Sequence, residues 1–446
     1  MAACIVEPRR QIGLYAATAI TVGNIIGSGI FRSPHSVAQE ITSFGAVLLA
    51  WVLGGVLSIC GSLALAELAV ARPKTGGLYV FIREGFGDAM GFAFGWANLW
   101  VIKPTVIASI TSVFALYFCE VLRLPRSAEF PVGAAAILSL TFVNWQGVKQ
   151  GAGTQSVFTT IKVIGIGALC VAAFTLPSRF AASLMPEAST ASTHPPLIGF
   201  AVAMIPILFA YDGWTDSTYV AGEVVKPKRT MPIAIVGGAC FVVAVYVLTN
   251  IAYFHVIGSE GVAAYEAVGS ETIRRLLGEW GGRALAVLVA VSTFGTTNGA
   301  ILTGPRVTQA MAADGLLWTP LAHLDPTRGT PARALWLQAV LSCVWLGLAG
   351  GFEDVSGWFV TTSWLFYGLT TAALFVQRRR EAAGKIETPT YRTPLYPVTP
   401  AVFILATTAI IISDLSSTGL RAWAGIGITA LGFPVYLVWN RRRGAR

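Results

Sequence analysis

The chain alternates long apolar runs with short polar connections, and the runs are about as long as a bilayer is thick. A helix of about 20 apolar residues crosses the hydrocarbon core. Twelve stretches reach that scale: about 11–37, 44–70, 86–118, 131–148, 153–176, 197–223, 231–257, 283–311, 332–350, 355–377, 397–415 and 419–440. Each is predicted to be helical, because an open sheet edge leaves backbone groups unsatisfied in lipid. The expected class is an all-α polytopic membrane protein with twelve transmembrane helices.

Two of the runs are interrupted. The first carries Gly23-Asn24-Ile25-Ile26-Gly27-Ser28-Gly29-Ile30-Phe31 in its middle. Glycine costs about 1 kcal/mol against alanine inside a helix. One reading is a helix broken in mid-membrane, with free N–H groups that grip a ligand. The other is a close-packing face, because Gly23-x-x-x-Gly27 also fits the small-xxx-small pattern. The sixth run carries Phe209-Ala210-Tyr211-Asp212-Gly213-Trp214, an acid and a glycine inside apolar sequence. The two interruptions fall at matching depths. Matching breaks in two halves point to a binding site between repeats. That pairing favours the broken helix. Spans one to five and six to ten then form two repeats, residues 11–177 and 197–378, followed by two further helices over 397–440. Five is odd, so the second repeat must run inverted. All of this is one membrane domain.

Composition strengthens this picture. The 446 residues are 54% hydrophobic and 12% charged, against about 25% charged in soluble domains. No soluble catalytic domain has room in the loops. The apolar run after Arg9 and Arg10 is too long for a cleavable signal. A net charge of +9 raises the possibility of nucleic-acid binding, but its placement argues otherwise. With the N-terminus in the cytoplasm, twenty of the 31 Lys and Arg residues fall on that side and seven on the other. This is the positive-inside pattern. It predicts a multi-pass protein of the cell (inner) membrane with both termini cytoplasmic, a lipid bilayer as its surroundings and no nucleic-acid partner. The six cysteines, Cys4 among them, are scattered. His35, His194, His255 and His323 have no second ligand at helical spacing, so no metal is expected. No nucleophile elbow, phosphate loop or cofactor motif appears, so neither an enzyme nor a cofactor is expected.

The first interrupted stretch, Gly23 to Phe31, resembles the first-helix signature of the amino acid–polyamine–organocation superfamily, most closely its L-type amino-acid transporter branch. Five further stretches agree in order: Pro73 to Tyr79, Ile102-Lys103-Pro104-Thr105, Phe209 to Trp214, Lys226 to Pro232, and Thr293 to Gly299. The resemblance implies the leucine-transporter fold, with broken helices one and six. It also implies alternating access around a central L-amino-acid site, commonly run as exchange. Animal members of the branch carry a cysteine, in the loop after span three, that joins a glycoprotein partner. Cys119 does not sit there, so no disulfide-linked glycoprotein partner is expected, and a stand-alone bacterial-type transporter is.

The residues can be given roles on this basis. Ile25, Ile26, Gly27, Ser28 and Gly29 would present the N-terminal end of a half-helix, whose partial positive charge suits a carboxylate. Phe209, Ala210, Tyr211, Asp212 and Gly213 would present carbonyls to an ammonium group, with Phe209 as a gate over the substrate. Asp212, a mid-membrane carboxylate, is a functional candidate by default. It would either attract a cationic side chain or stabilise the unwound backbone. Lys162 lies too deep to snorkel easily. The resemblance places it where sodium-coupled relatives hold sodium, bridging the carbonyl near Gly23 to span eight, with Ser292 or Thr293 as partners. A sodium-independent exchanger of small neutral amino acids follows, with proton-coupled uptake and a non-transporting sensor as alternatives. Lys103 precedes Pro104, where a kink is expected, and has no assigned partner. Glu67 and Arg72 are read as solvated loop charges, or alternatively as an inner gate against Lys226 to Arg229.

Overall fold

Each predicted apolar run folds as helix, and the two glycine-interrupted runs are broken. The computed structural model describes residues 9–177, 195–348, 352–417 and 420–444. Cys4, Arg179, His194, Arg446 and the end of the ninth predicted run lie outside these residues.

The first run is two helices, α1 (Leu14–Ile25) and α2 (Gly29–Glu40). Then come α3 (Phe44–Ala71), a short α4 (Leu78–Phe86) and α5 (Asp88–Ala97). A π-helical turn, Asn98–Ile102, leads into α6 (Lys103–Leu122). Next are α7 (Glu129–Gln146) and α8 (Val148–Thr175). The sixth run is again split, into α9 (Pro196–Ala210) and a one-turn α10 (Asp216–Tyr219). Helix α11 (Pro227–Pro232) continues through a second π turn into α12 (Gly238–Ala264). After α13 (Val268–Leu277) come α14 (Glu279–Ala313), α15 (Ala332–Leu348), α16 (Phe352–Ala382), α17 (Val398–Ser417) and α18 (Leu420–Gly444). Among the described residues, seven helical stretches are long and apolar enough to cross a membrane. The chain is therefore an all-helical, multi-pass membrane protein. Its lipid-facing surface carries exposed Ile164, Val171, Leu405 and Ile412, a belt that would be costly in water.

The interior is polar where a helix is disturbed. Pro104 has no N–H to give to the carbonyl one turn back, and a freed carbonyl in a membrane must find another donor. Trp345 Nε1 donates to Trp100 O at 3.0 Å, and Thr105 Oγ1 donates to Val101 O at 2.7 Å. The π-helical turn before Pro104 is thereby capped from α15.

Three expectations are corrected. Helices α4 and α13 were not predicted, because they are short and carry charges on one face, and run length cannot see them. Helix α12 runs to Ala264, past the predicted end near 257, through a kink at Gly258. Glu67 is neither solvated nor paired with the Lys226 to Arg229 loop. It is fully buried, accepts Arg378 Nη2 at 2.8 Å and accepts the Thr393 N–H at 2.6 Å. Arg72 pairs instead with Glu84 at 2.5 Å. The Arg378 side chain is 14% exposed, and a pair shielded from water gains more than an exposed one.

On the side of the membrane where α1 begins, the residues before α1 are tied to the segment after α10. Gln11 and Ile12 donate their N–H groups to Glu223 O at 2.7 and 2.9 Å. The Glu223 carboxylate in turn pairs with Arg306 of α14, at 3.0 Å from Nε and 3.1 Å from Nη2. Both side chains are buried.

Candidate functional site

The two breaks meet backbone to backbone. A methyl group placed on Gly213 would lie 2.6 Å from the Asn24 carbonyl carbon and 2.7 Å from Ile25 N. Its φ of +119° is also one that side-chain-bearing residues avoid. From the other side, a methyl on Gly29 would lie 2.6 Å from the Ala210 Cα. The glycines therefore do what the sequence suggested in both senses. They break two helices and they let the broken ends interlock. Gly23, by contrast, is a packing glycine, since a methyl there would collide with Thr159 and Gln155 of α8.

The end of α1 leaves carbonyls without helical partners. Lys162, buried in α8, answers with all three of its protons. It donates to Gly23 O at 2.8 Å, Ile26 O at 2.7 Å and Thr296 Oγ1 at 2.9 Å. An ammonium group has three donors and no acceptor, so this satisfies it fully. Tyr246 Oη donates to Ile25 O at 2.9 Å, a carbonyl that also accepts the Gly27 N–H at 2.8 Å. The expected partner on span eight is thus corrected. Thr293 turns back to its own helix, donating to Val289 O at 2.7 Å, and Ser292 Oγ is buried without a partner. Thr296, one turn beyond Ser292, is the residue on the face that meets α1.

A cavity of about 40 Å³ lies where the breaks meet. Ile25, Gly27, Ser28 and Gly29 line it from the first break, and Phe209, Ala210, Asp212 and Gly213 from the second. Ile26 and Tyr211 do not face it. Ile26 packs into the core, and the Tyr211 ring meets Trp51 edge to face and Tyr246 at a tilt. Ser28 Oγ is buried, borders the cavity and has no hydrogen-bond partner. The Phe209 ring meets Phe359 edge to face at 6.0 Å between centroids. Asp212 accepts the Tyr367 hydroxyl at 2.6 Å.

The sequence reading missed the other carboxylate. Asp216 opens α10, borders the same cavity and accepts Lys103 Nζ at 2.6 Å. Asn24 Nδ2 donates to its second oxygen at 2.5 Å, and Thr303 Oγ1 lies 3.3 Å from that oxygen. Asn24 continues the network, since its side-chain Oδ1 accepts Gln155 Nε2 at 3.1 Å. The signal was present: Lys103 is a buried cation that needs a counter-charge, and Asp216 is the only other acid in the sixth run before Glu223.

Two interrupted spans that share a cavity within a membrane are the architecture of a solute carrier. The sequence profile of the amino acid permease family matches residues 12–435, and the chain belongs to that family. It is 31% identical to the serine/threonine exchanger SteT of Bacillus subtilis over 446 residues, 98% of each chain. It is 31% identical to the b(0,+)-type amino acid transporter 1 of Homo sapiens over 406 residues, 89% of this chain and 82% of that one. It is 33% identical to the large neutral amino acids transporter small subunit 2 of Mus musculus over 445 residues, 96% of this chain and 81% of that one. The chain is accordingly an amino-acid transporter embedded in a membrane, and not an enzyme.

Proposed function

We propose that this transporter is a sodium-independent exchanger of small, neutral L-amino acids that works by alternating access. One observation carries the reading: two helix breaks of opposite polarity face one small cavity. The first turn of α2 offers N–H groups, the positive end of a helix, beside the unpartnered Ser28 hydroxyl. That end suits a carboxylate. The last turn of α9 offers carbonyls, which suit an ammonium group. Every amino acid carries both. The cavity is small, about 40 Å³, and the Bacillus subtilis relative is named a serine/threonine exchanger; both support small neutral side chains. Exchange is supported by the printed name of the Bacillus subtilis relative. Sodium independence is supported by Lys162, whose ammonium already takes the Gly23 and Ile26 carbonyls.

The same reading includes the twelve-span leucine-transporter arrangement, with inverted repeats over 11–177 and 197–378 and two further helices over 397–440. The interlocked breaks support it. The distribution of Lys and Arg supports cytoplasmic termini and the inner membrane. The buried thiol of Cys119, at the end of α6, supports action without a disulfide-linked partner. Asp212 favours a second reading, proton-coupled or cationic amino-acid uptake, because its carboxylate borders the cavity and its bonded side-chain partner is a neutral phenol.

The test is labelled amino-acid uptake into proteoliposomes, loaded or empty, with and without sodium and a pH gradient. Uptake that needs internal amino acid and ignores sodium is expected. Uptake into empty vesicles that follows the pH gradient would overturn exchange in favour of the second reading. No flux of any amino acid would favour a sensor.

A further inference from the structure

The cavity has two carboxylates and one ammonium group on its wall: Asp212, Asp216 and Lys103. They are not equivalent. Asp216 is fully engaged, with Lys103 Nζ 2.6 Å from one oxygen and Asn24 Nδ2 2.5 Å from the other. Asp212 receives only a neutral hydroxyl from a side chain, that of Tyr367. Lys103 is held in place from several directions. Thr303 Oγ1 lies 3.5 Å from its Nζ, and the Tyr219 ring centroid is 5.0 Å away. Its side chain is 6% exposed and that of Asp216 is 9% exposed, so neither charge is relaxed by bulk water. In a low-dielectric pocket an uncancelled carboxylate acts strongly on any charge that enters.

We propose that Lys103 sets the charge preference of the substrate pocket by cancelling Asp216. The inference rests on the amino-acid transporter reading of this cavity. With Lys103 present, a substrate side chain meets one uncompensated carboxylate at most, that of Asp212. Without Lys103 it meets two, and a cationic side chain gains a second counter-charge while a neutral one gains nothing. Without Asp216 the ammonium of Lys103 stands uncancelled, and a cationic side chain is repelled. The pair is therefore a specificity device rather than only a brace between α6 and α10, and its two halves push selectivity in opposite directions.

The experiment measures inhibition of labelled L-serine uptake by unlabelled L-lysine and L-serine in proteoliposomes, for wild type, Lys103→Met, Asp216→Asn and the double variant. The lysine-to-serine affinity ratio is expected to rise about tenfold in Lys103→Met and to fall about tenfold in Asp216→Asn, a change of about 1.4 kcal/mol each way. It is expected to return close to the wild-type ratio in Lys103→Met/Asp216→Asn, where the formal charge balance is restored. If both single variants lose serine and lysine in equal proportion, the pair is only structural and the inference is overturned. Where a variant no longer transports, the shift in unfolding temperature with each amino acid in detergent gives the same ratio without turnover. An unshifted ratio there also overturns it. If the wild type neither transports nor is stabilised by any amino acid, the transporter reading of this cavity fails instead.

Discussion

Replacing Lys162 by alanine removes the cation that holds the end of α1. Its ammonium makes three hydrogen bonds, two of them to the carbonyls of Gly23 and Ile26. A bond to a charged group contributes about 1.5–3 kcal/mol, and a buried polar atom left unpaired costs about 1–3 kcal/mol. Thr296 Oγ1 already lies 3.0 Å from Ile26 O and can turn its proton there. The same hydroxyl lies 3.1 Å from Gly23 O, and its single proton can serve only one of the two carbonyls, so the other is left stranded. Against this stands the released cost of burying an ammonium group. The balance is a loss of about 3 kcal/mol in the arrangement that keeps the two breaks interlocked, a factor of about 100 in the equilibrium constant that favours it. The expected result is an exchange rate reduced by about that factor, while the protein still elutes as a single folded species. Thr296→Val removes one hydroxyl and keeps the cation, so it should cost about 1 kcal/mol, or about fivefold. The assay is initial rate of exchange in proteoliposomes at matched protein content. A Lys162→Ala variant within about threefold of wild type would refute the claim that this ammonium sets the geometry of the break.

Three further outcomes follow from the geometry. Ser28→Ala should raise KM about tenfold, from losing one bond to a charged group, and leave the unfolding temperature of the empty protein unchanged, because the hydroxyl has no partner there; a lowered unfolding temperature with unchanged KM would assign the serine to structure. Gly213→Ala places a methyl 2.6 Å from the Asn24 backbone at a φ of +119°, and should cost on the order of 3 kcal/mol or more, read as a loss of folded protein in detergent. Glu223→Ala strands the buried Arg306 guanidinium and should destabilise by about 3–5 kcal/mol. Glu223→Ala with Arg306→Met should recover most of that loss in the same thermal unfolding measurement.

What the sequence made legible was the membrane class, the positions of the apolar runs and the two breaks. Those features rest on run length and on local violations of helix propensity, and Gly27-Ser28-Gly29 and Asp212-Gly213 are strong violations. Lys162 was legible for the same reason, as a charge too deep in an apolar run to be ordinary. What the sequence hid was pairing. Lys103 and Asp216 are 113 residues apart, and Lys162 and Thr296 are 134 apart. Helix packing alone decides which polar faces meet. Choosing Ser292 or Thr293 over Thr296 was an error of about one helical turn, which no pattern of apolar residues resolves inside a helix as enclosed as α14. Tyr246 and Tyr367 were invisible for the opposite reason. An aromatic residue in an apolar run reads as core, and only the fold shows its hydroxyl aimed at Ile25 O or at Asp212.

The central claim is that the two breaks grip one zwitterion, carboxylate on α2 and ammonium on α9. It is tested most directly by competition binding in detergent, with a labelled small L-amino acid against analogues that lack one end. The methyl ester, the decarboxylated amine and the deaminated acid are each expected to compete at least about a hundredfold more weakly than the parent, since each forfeits about 3 kcal/mol of charge-assisted hydrogen bonding. An amine without a carboxylate that competes as well as the parent would contradict it.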